Sequence, residues 1–217
     1  RLNIYKHSAM NVSSRIIPSR FIGMGNYPAA GGDNVSVSQK PVMRNQMKKK
    51  SLNNFAIIGT GMVGTAIGAL LKKSGYNIVS ICDKSSTALK RAVSYTGGKP
   101  FKTIPDAVQR VDCILITTPD DHIAYTCREI ASAPSITGKY VFHMSGAGGL
   151  DLLASAKKAG AFVASIHPLQ SFSSIDQAIK NIPGSCFGVT ADQTALPHVK
   201  KIIRKLGGIP IVISDNQ

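Results

Sequence analysis

The segment Phe55–Gly64 constrains the fold more than any other part of the chain, because a short apolar run there ends in three closely spaced glycines. Gly59, Gly61 and Gly64 have the spacing G-x-G-x-x-G, and a helix-periodic apolar segment follows them. This order predicts a strand, a tight turn and a helix whose first turn is open. In such a unit the first glycine makes the turn, the second lets backbone approach a pyrophosphate, and the third lets the helix pack on the strand.

The same region has an alternative interpretation as a membrane helix. Phe55–Leu71 is seventeen residues long, carries no charge and is flanked by lysines on both sides. A spanning helix needs about 20 apolar residues. The run is shorter, contains four glycines and two threonines, and divides into a strand-like and a helix-like half. We therefore expect a dinucleotide-binding loop and no membrane segment.

The net charge of +15 is unevenly distributed along the chain. Residues 1–50 hold nine Lys and Arg against the single Asp33, which leaves +7 for the longer remainder. The charges of residues 51–217 are scattered and form no basic stripe interleaved with aromatics, the pattern that nucleic-acid binding favours. We therefore expect no nucleic-acid partner.

The four cysteines are Cys82, Cys113, Cys127 and Cys186, and no pair has C-x-x-C spacing. Two of them fall in apolar, strand-like runs, where a thiol behaves as a small buried hydrophobe. This usage predicts no metal site and suits a reducing compartment. We expect a cytoplasmic protein.

Residues 1–50 are rich in Ser, Asn, Arg, Gly and Pro and show no sustained period. We expect a disordered or non-native extension, because Met47 and the three lysines after it stand directly before the first strand, as a bacterial start does. A transit peptide to an organelle is also Arg-rich, Ser-rich and acid-poor, so that alternative stays open.

Strand-like and helix-like segments alternate from Ser51 onward. Further strands are predicted at 77–83, 101–103, 111–117, 140–144, 162–166, 186–190 and 209–213. Helices are predicted from 66, 86, 105 and 120, and at 150–158, 175–180 and 196–206. Alternation of this kind predicts an α/β fold with a mostly parallel, doubly wound sheet. Ligands bind at the carboxyl ends of such strands.

The residues at the end of the second strand bear on the choice between NAD and NADP. Asp83 lies twenty-four residues past Gly59, where a carboxylate would accept the ribose hydroxyls of NAD. Lys84 and Ser85 would instead hold the 2′-phosphate of NADP. A carboxylate beside that phosphate repels it, which favours NAD slightly, and the choice stays open. Alternatively, Asp83 only caps the following helix.

Two loops with a histidine and a hydroxyl each follow neighbouring strands. His143–Gly149 follows one strand, and His167–Phe172 follows the next. Hydride transfer needs orientation, a proton donor or acceptor and a dry pocket. We expect His167 to carry the proton and Ser145 or Gln170 to orient a carbonyl or carboxylate. Alternatively, these groups satisfy buried loop backbone. We expect the remaining candidate side chains to lie on helix surfaces: His122, Tyr125 and His198.

Three motifs after the glycines, Thr117–Asp121, His143–Ala147 and Ile166–Phe172, resemble those of a bacterial family. In that family a Rossmann-like domain precedes a helical domain of unknown function, and its members are described as deazaflavin-dependent NADP oxidoreductase-like. The family belongs to the wider group of 6-phosphogluconate dehydrogenases and pyrroline-5-carboxylate reductases. The resemblance extends from about Asn53 to the end of the chain.

The resemblance implies a cofactor site and a place for substrate. Ser145 and Gly146 would occupy the substrate position. The residues implied to contact the cofactor are Gly59, Thr60, Gly61, Met62, Val63, Gly64, Asp83, Lys84, Ser85, Thr117, Thr118 and Pro119.

The resemblance implies a C-terminal helical domain that completes the pocket and forms the homodimer, and we expect the given sequence, which ends at Gln217, to lack it. We expect residues 51–170 to form the Rossmann domain, and 171–217 the end of the α/β region and the start of a truncated second domain. The resulting hypothesis is an NAD(P)-dependent oxidoreductase of a small polar metabolite, here a fragment that binds dinucleotide but turns over substrate poorly. The alternatives are a non-catalytic redox-sensing module and a deazaflavin-linked NADP reductase.

Overall fold

The computed structural model describes residues 52–213, and within them all strands join one eight-stranded sheet. The strands are β1 (Asn54–Ile58), β2 (Asn77–Cys82), β3 (Lys99–Phe101), β4 (Cys113–Ile116), β5 (Tyr140–His143), β6 (Phe162–Pro168), β7 (Cys186–Ala191) and β8 (Ile209–Val212). The helices are α1 (Met62–Lys73), α2 (Ser86–Thr96), α3 (Ile104–Ala107), α4 (Asp120–Ala131), α5 (Ala154–Lys158), α6 (Ile175–Asn181) and α7 (Leu196–Lys205). The expectations for residues 1–50 lie outside the described residues.

The strand order is β3-β2-β1-β4-β5-β6-β7-β8. The first six strands are parallel, β7 runs antiparallel to β6, and β8 is parallel to β7. The predicted mostly parallel α/β sheet is therefore confirmed. From β1 the chain adds strands in one direction, to β2 and β3, and from β4 it adds them in the opposite direction. A crevice opens between β1 and β4 at the carboxyl ends of these strands.

Helices cover the sheet from both sides. On one face α1, α2, α6 and α7 contribute buried apolar side chains to the core, and on the other face α3, α4 and α5 do so. The central strand β4 is buried along its whole length, Cys113–Ile116, as expected for a parallel strand with helices above and below it. This packing fixes the strand ends from which the functional loops emerge.

The uncharged run Phe55–Leu71 divides at Gly59 into β1 and the first turns of α1. The membrane alternative is therefore wrong for this segment. Among residues 52–213 no helix is long and apolar enough to cross a bilayer. Two lysines, Lys72 and Lys73, occupy the last turn of α1, where cations interact favourably with the helix dipole.

Strand β6 continues two residues further than predicted. Its pairing with β7 includes His167 opposite Gly188 and Pro168 opposite Phe187, so His167 is a strand residue and not a loop residue. The predicted helix at 150–158 is also different, because it begins as a 3₁₀ helix, Leu150–Leu153, before α5.

Two polar side chains near the amino end of β5 are buried or half-buried, which was not predicted. His198 is half-buried and packs its ring on Tyr140 at a centroid distance of 5.0 Å, so the predicted surface position is wrong for it. Lys139 is buried, and its Nζ donates to the carbonyls of Val108, Gln109 and Val111 over 2.7–2.9 Å. These contacts stabilise the turn between α3 and β4.

Candidate functional site

The glycine-rich loop has the geometry that its spacing predicts. Gly59 has a φ of +97°, and a Cβ there would come within 2.7 Å of the backbone between Thr117 and Thr118. A Cβ on Gly64 would come within 2.1 Å of the Gly59 carbonyl oxygen. The first and third glycines thus permit a left-handed turn and close contact between α1 and β1.

The second glycine faces open space. A Cβ on Gly61 would meet no atom of the described residues within 4 Å, and its φ of −66° suits any residue. Gly61 is the N-cap of α1, it provides no side-chain cap, and no acidic residue lies in the first turn. Within residues 52–213, nothing accepts a hydrogen bond from the amides of Met62, Val63 and Gly64. Free N–H groups and the positive end of a helix dipole are features that favour an anion.

Asp83 is bonded to the glycine-rich loop. Its Oδ2 accepts from the Thr60 amide at 2.5 Å and from Thr60 Oγ1 at 3.0 Å, and its Oδ1 accepts from the Ser85 amide at 2.8 Å. Ser85 is the N-cap of α2, and its hydroxyl accepts from the Ala88 amide at 3.2 Å. The predicted cofactor residues Thr60, Asp83 and Ser85 are therefore brought together, but mainly through bonds to one another.

Lys84 projects from the same turn and is exposed. Its Nζ lies 6.0 Å from the ring centroid of Tyr125 on α4. Tyr125 and His122 are 48% and 51% exposed, as predicted for surface positions. Lys84 is thus free to meet an anion at the carboxyl end of β2.

The turn after β4 forms the other wall of the crevice. Thr117 Oγ1 donates to the Gly59 carbonyl oxygen at 2.5 Å, which ties this turn to the glycine-rich loop. Thr118 Oγ1 is buried, and no described residue gives it a hydrogen-bond partner. Pro119 is the N-cap of α4. A buried hydroxyl without a protein partner is a group that a water molecule or a bound ligand could satisfy.

A small cleft of about 90 Å³ runs between the turn after β4 and the loop after β5. Its lining comprises Val63, Ile116, Thr117, Thr118, Asp120, Met144 and Ser145. The cleft connects the predicted cofactor residues with the predicted substrate residue Ser145.

His143 holds the loop after β5 in place. This side chain is fully buried, its Nδ1 accepts from the Ser145 amide at 3.2 Å, and its Nε2 lies 3.1 Å from the Gly149 carbonyl oxygen. Because the amide can only donate, Nδ1 carries no proton and Nε2–H donates to Gly149. The neutral Nε2–H tautomer thus bonds both ends of the loop. Sequence reasoning gave His143 no role, and its position directly before Ser145 was the available signal.

A larger cavity of about 270 Å³ lies beyond Ser145, against strands β6, β7 and β8. Ser165 and His167 of β6 line it from one side, as expected for residues two apart on a strand. The rest of the lining comprises Ser145, Gly146, Ala147, Gly148, Gly149, Leu169, Gly188, Thr190, Ile211 and Ile213. Ser145 therefore borders both the small cleft and this cavity.

His167 is half-buried at the wall of this cavity. Its Nδ1 lies 3.4 Å from the Met144 carbonyl oxygen, and a Cβ on Gly146 would come within 2.6 Å of its Nε2. Gly146 thus leaves room for the imidazole, which lies against the loop that carries Ser145. The structure places the predicted residues His167 and Ser145 at one cavity.

Gln170 is not part of this group, so the predicted orienting role does not fit its position. Its Nε2 lies 3.2 Å from Ser185 Oγ and 3.4 Å from the Asn181 carbonyl oxygen, and its Oε1 accepts from the Ser171 amide. The side chain lines neither cavity. Its bonds to Asn181 and Ser185 stabilise the connection between α6 and β7 instead.

Residues 38–168 match the Rossmann-like domain family. The fold is similar to a prephenate dehydrogenase from A. aeolicus in complex with NAD⁺ (18% identity, TM-score 0.64) and to a pyrroline-5-carboxylate reductase from Coxiella burnetii (17% identity, TM-score 0.62). It is also similar to a 3-hydroxyisobutyrate dehydrogenase from Mycobacterium tuberculosis (18% identity, TM-score 0.64). These matches cover 76–78% of this chain and 55–62% of the relatives.

At these identities the structural matches establish the fold alone. The chain spans less than two thirds of the length of these relatives. The family match covers more than half of the chain, and the loop geometry, the strand order and the crevice between β1 and β4 agree with it. The chain therefore belongs to the Rossmann-like domain family.

Proposed function

We propose that the chain binds NAD or NADP and is the nucleotide-binding part of an oxidoreductase that acts on a small polar metabolite. The names of the structural relatives, which are dehydrogenases and a reductase, support this class of reaction. The site itself supports the nucleotide, as the contacts of the glycine-rich loop, the turn after β4 and the loop after β5 indicate.

One observation carries the nucleotide proposal. The amides of Met62, Val63 and Gly64 point from an uncapped helix start, and no atom of the described residues occupies the space where a Gly61 side chain would lie. A pyrophosphate accepts hydrogen bonds from such amides and carries the charge that the helix dipole favours. A side chain at position 61 would project into that phosphate.

The nicotinamide end would extend along the turn after β4 toward Ser145. Thr118 Oγ1 is buried without a partner beside this path, and a ribose hydroxyl or a carboxamide would provide one. The neighbouring cavity of about 270 Å³ has room for a small metabolite. Ser145 lies where the two ligands would meet.

Hydride transfer requires the protein to orient the reactants and to donate or accept a proton. Bound nicotinamide supplies the hydride donor or acceptor. His167 is the one predicted proton carrier at the cavity, and its Nε2 would take the proton from a substrate O–H or N–H when the carbon loses its hydride. Ser145 would orient the reacting group, while Gly146 keeps the imidazole close to the loop.

Gly61→Val tests the nucleotide proposal directly. A Cβ at this position meets no described atom, so we expect a folded variant whose melting temperature falls only by the cost of replacing an N-cap glycine. The added side chain projects into the phosphate site, so calorimetry with NAD and NADP should show at least a tenfold loss of affinity. Thr87→Val, at an exposed position on α2, is the matched control and should bind as the unmodified chain does. Equal affinity of Gly61→Val and the control would contradict the proposal.

A further inference from the structure

Three of the roughly four acceptor positions on the Asp83 carboxylate are occupied by protein donors. The donors are the amide and hydroxyl of Thr60 and the amide of Ser85. A carboxylate that selects NAD must accept from two ribose hydroxyls, and Asp83 has little capacity left for them. Its negative charge is also partly compensated by these donors, which reduces the repulsion of a nearby phosphate.

Two cations lie around one exposed aromatic ring beside this turn. Lys84 Nζ is 6.0 Å and Arg128 Cζ is 5.7 Å from the ring centroid of Tyr125, which is 48% exposed. Tyr125 and Arg128 are three residues apart on α4, so they lie on the same side of the helix. Within residues 52–213, neither cation has a carboxylate at ion-pair distance.

The position of this cluster relative to the glycine-rich loop defines which part of a nucleotide it would meet. Lys84 directly follows Asp83, which is bonded to Thr60 of the loop. A dinucleotide with its pyrophosphate at the start of α1 places its adenosine at the carboxyl end of β2. The two cations and the ring therefore border the adenosine ribose, where NAD has a hydroxyl and NADP a phosphate.

We propose that Lys84 and Arg128, held against Tyr125, bind the 2′-phosphate of NADP, so that the chain prefers NADP to NAD. The inference rests on the proposed nucleotide site. Arg128 is the added element, because it comes from α4 rather than from the turn after β2. Its planar guanidinium can donate two parallel hydrogen bonds to a phosphate while its Cζ stays within about 6 Å of the ring centroid.

The experiment is calorimetric titration of the whole 217-residue chain with NADP, NAD, 2′,5′-ADP and 5′-AMP. The last two ligands isolate the adenosine end. We expect NADP to bind at least tenfold more tightly than NAD, and 2′,5′-ADP more tightly than 5′-AMP. Arg128→Gln and Lys84→Gln should each weaken NADP and 2′,5′-ADP about tenfold and leave NAD and 5′-AMP within twofold. Arg110 is exposed and lies before the amino end of β4. Arg110→Gln therefore serves as the control and should change the affinity for none of the four ligands.

The outcomes separate this inference from the proposal on which it rests. Equal affinities for NAD and NADP, or an Arg128→Gln variant that weakens both alike, would overturn the 2′-phosphate site and leave the nucleotide site standing. Absence of binding by all four ligands would overturn both. Tyr125→Leu adds a further check, because loss of the ring should weaken NADP and 2′,5′-ADP; unchanged affinity for both would contradict the role given to the ring.

Discussion

The backbone amide and the hydroxyl of Thr60 both donate to Oδ2 of Asp83, over 2.5 and 3.0 Å. These two bonds join the glycine-rich loop after β1 to the end of β2. An acidic residue at this position serves in many dinucleotide-binding domains as a ribose acceptor. In this chain its carboxylate accepts these bonds from the glycine-rich loop and so fixes the loop.

Asp83→Ala should lower the free energy of unfolding by about 1–3 kcal/mol, because the Thr60 and Ser85 amides lose an ionised acceptor. Denaturant unfolding followed by circular dichroism measures the change. Asp151→Ala, at an exposed position, is the control and should stay within about 0.5 kcal/mol of the unmodified chain. Equal stability of the two variants would show that the Thr60 bonds contribute nothing.

The three glycines of the loop should respond differently to the same substitution. Gly64→Ala places a Cβ 2.1 Å from the Gly59 carbonyl oxygen and 2.4 Å from Thr117 Oγ1, so α1 must move away from β1. We expect a loss of about 1–3 kcal/mol, the usual cost of overpacking. Gly61→Ala meets no described atom and loses only the preference for glycine at the N-cap, so we expect a smaller loss than for Gly64→Ala. Thermal unfolding of both variants checks this order, and the reverse order would refute it.

His143→Phe should release the loop that carries Ser145. The variant removes the acceptor of the buried Ser145 amide and the donor to Gly149, each loss costing about 1–3 kcal/mol. Hydrogen exchange of the Ser145 amide should accelerate strongly. His122→Phe changes an exposed histidine on α4 and is the matched control. Unchanged exchange at Ser145 in the His143 variant would contradict the role given to this histidine.

The four cysteines should react at very different rates. Burial raises the pKa of Cys82, with the Asp83 charge adding to it, and burial likewise raises the pKa of Cys127. A higher pKa leaves less thiolate at a given pH, and Cys113 is fully buried. Iodoacetamide at pH 8 should therefore label Cys186 first, as mass spectrometry of timed digests can measure. Labelling of Cys127 as fast as Cys186 would contradict the described packing of α4.

Local sequence chemistry was sufficient for the parts of the fold that depend on neighbouring residues. The turn at Gly59 follows from a conformation that glycine adopts easily, and β4 follows from a short apolar run that ends at Ile116, shortly before Pro119. The spacing of the glycines therefore predicted the order of strand, tight turn and helix, although α1 begins at Met62 and not at residue 66.

Other features depend on partners that are distant in the chain. The direction of β7 is set by its pairing with β6, which also extends β6 to include His167. Gln170 resembles an orienting residue in the sequence, but its amide bonds Ser185 and Asn181, which only the folded connection brings near. Lys139 likewise has no local signal, since the carbonyls it bonds lie about thirty residues earlier.

The most direct test of the central claim is an NMR titration of the ¹⁵N-labelled chain with NADP, followed at the amides of the α1 N-terminus. The proposed site predicts that Met62, Val63 and Gly64 show the largest shifts, and that Gly61→Val abolishes them. Saturating NADP that leaves these three amides unshifted, or shifts that persist unchanged in Gly61→Val, would contradict binding of the dinucleotide phosphates at this helix start.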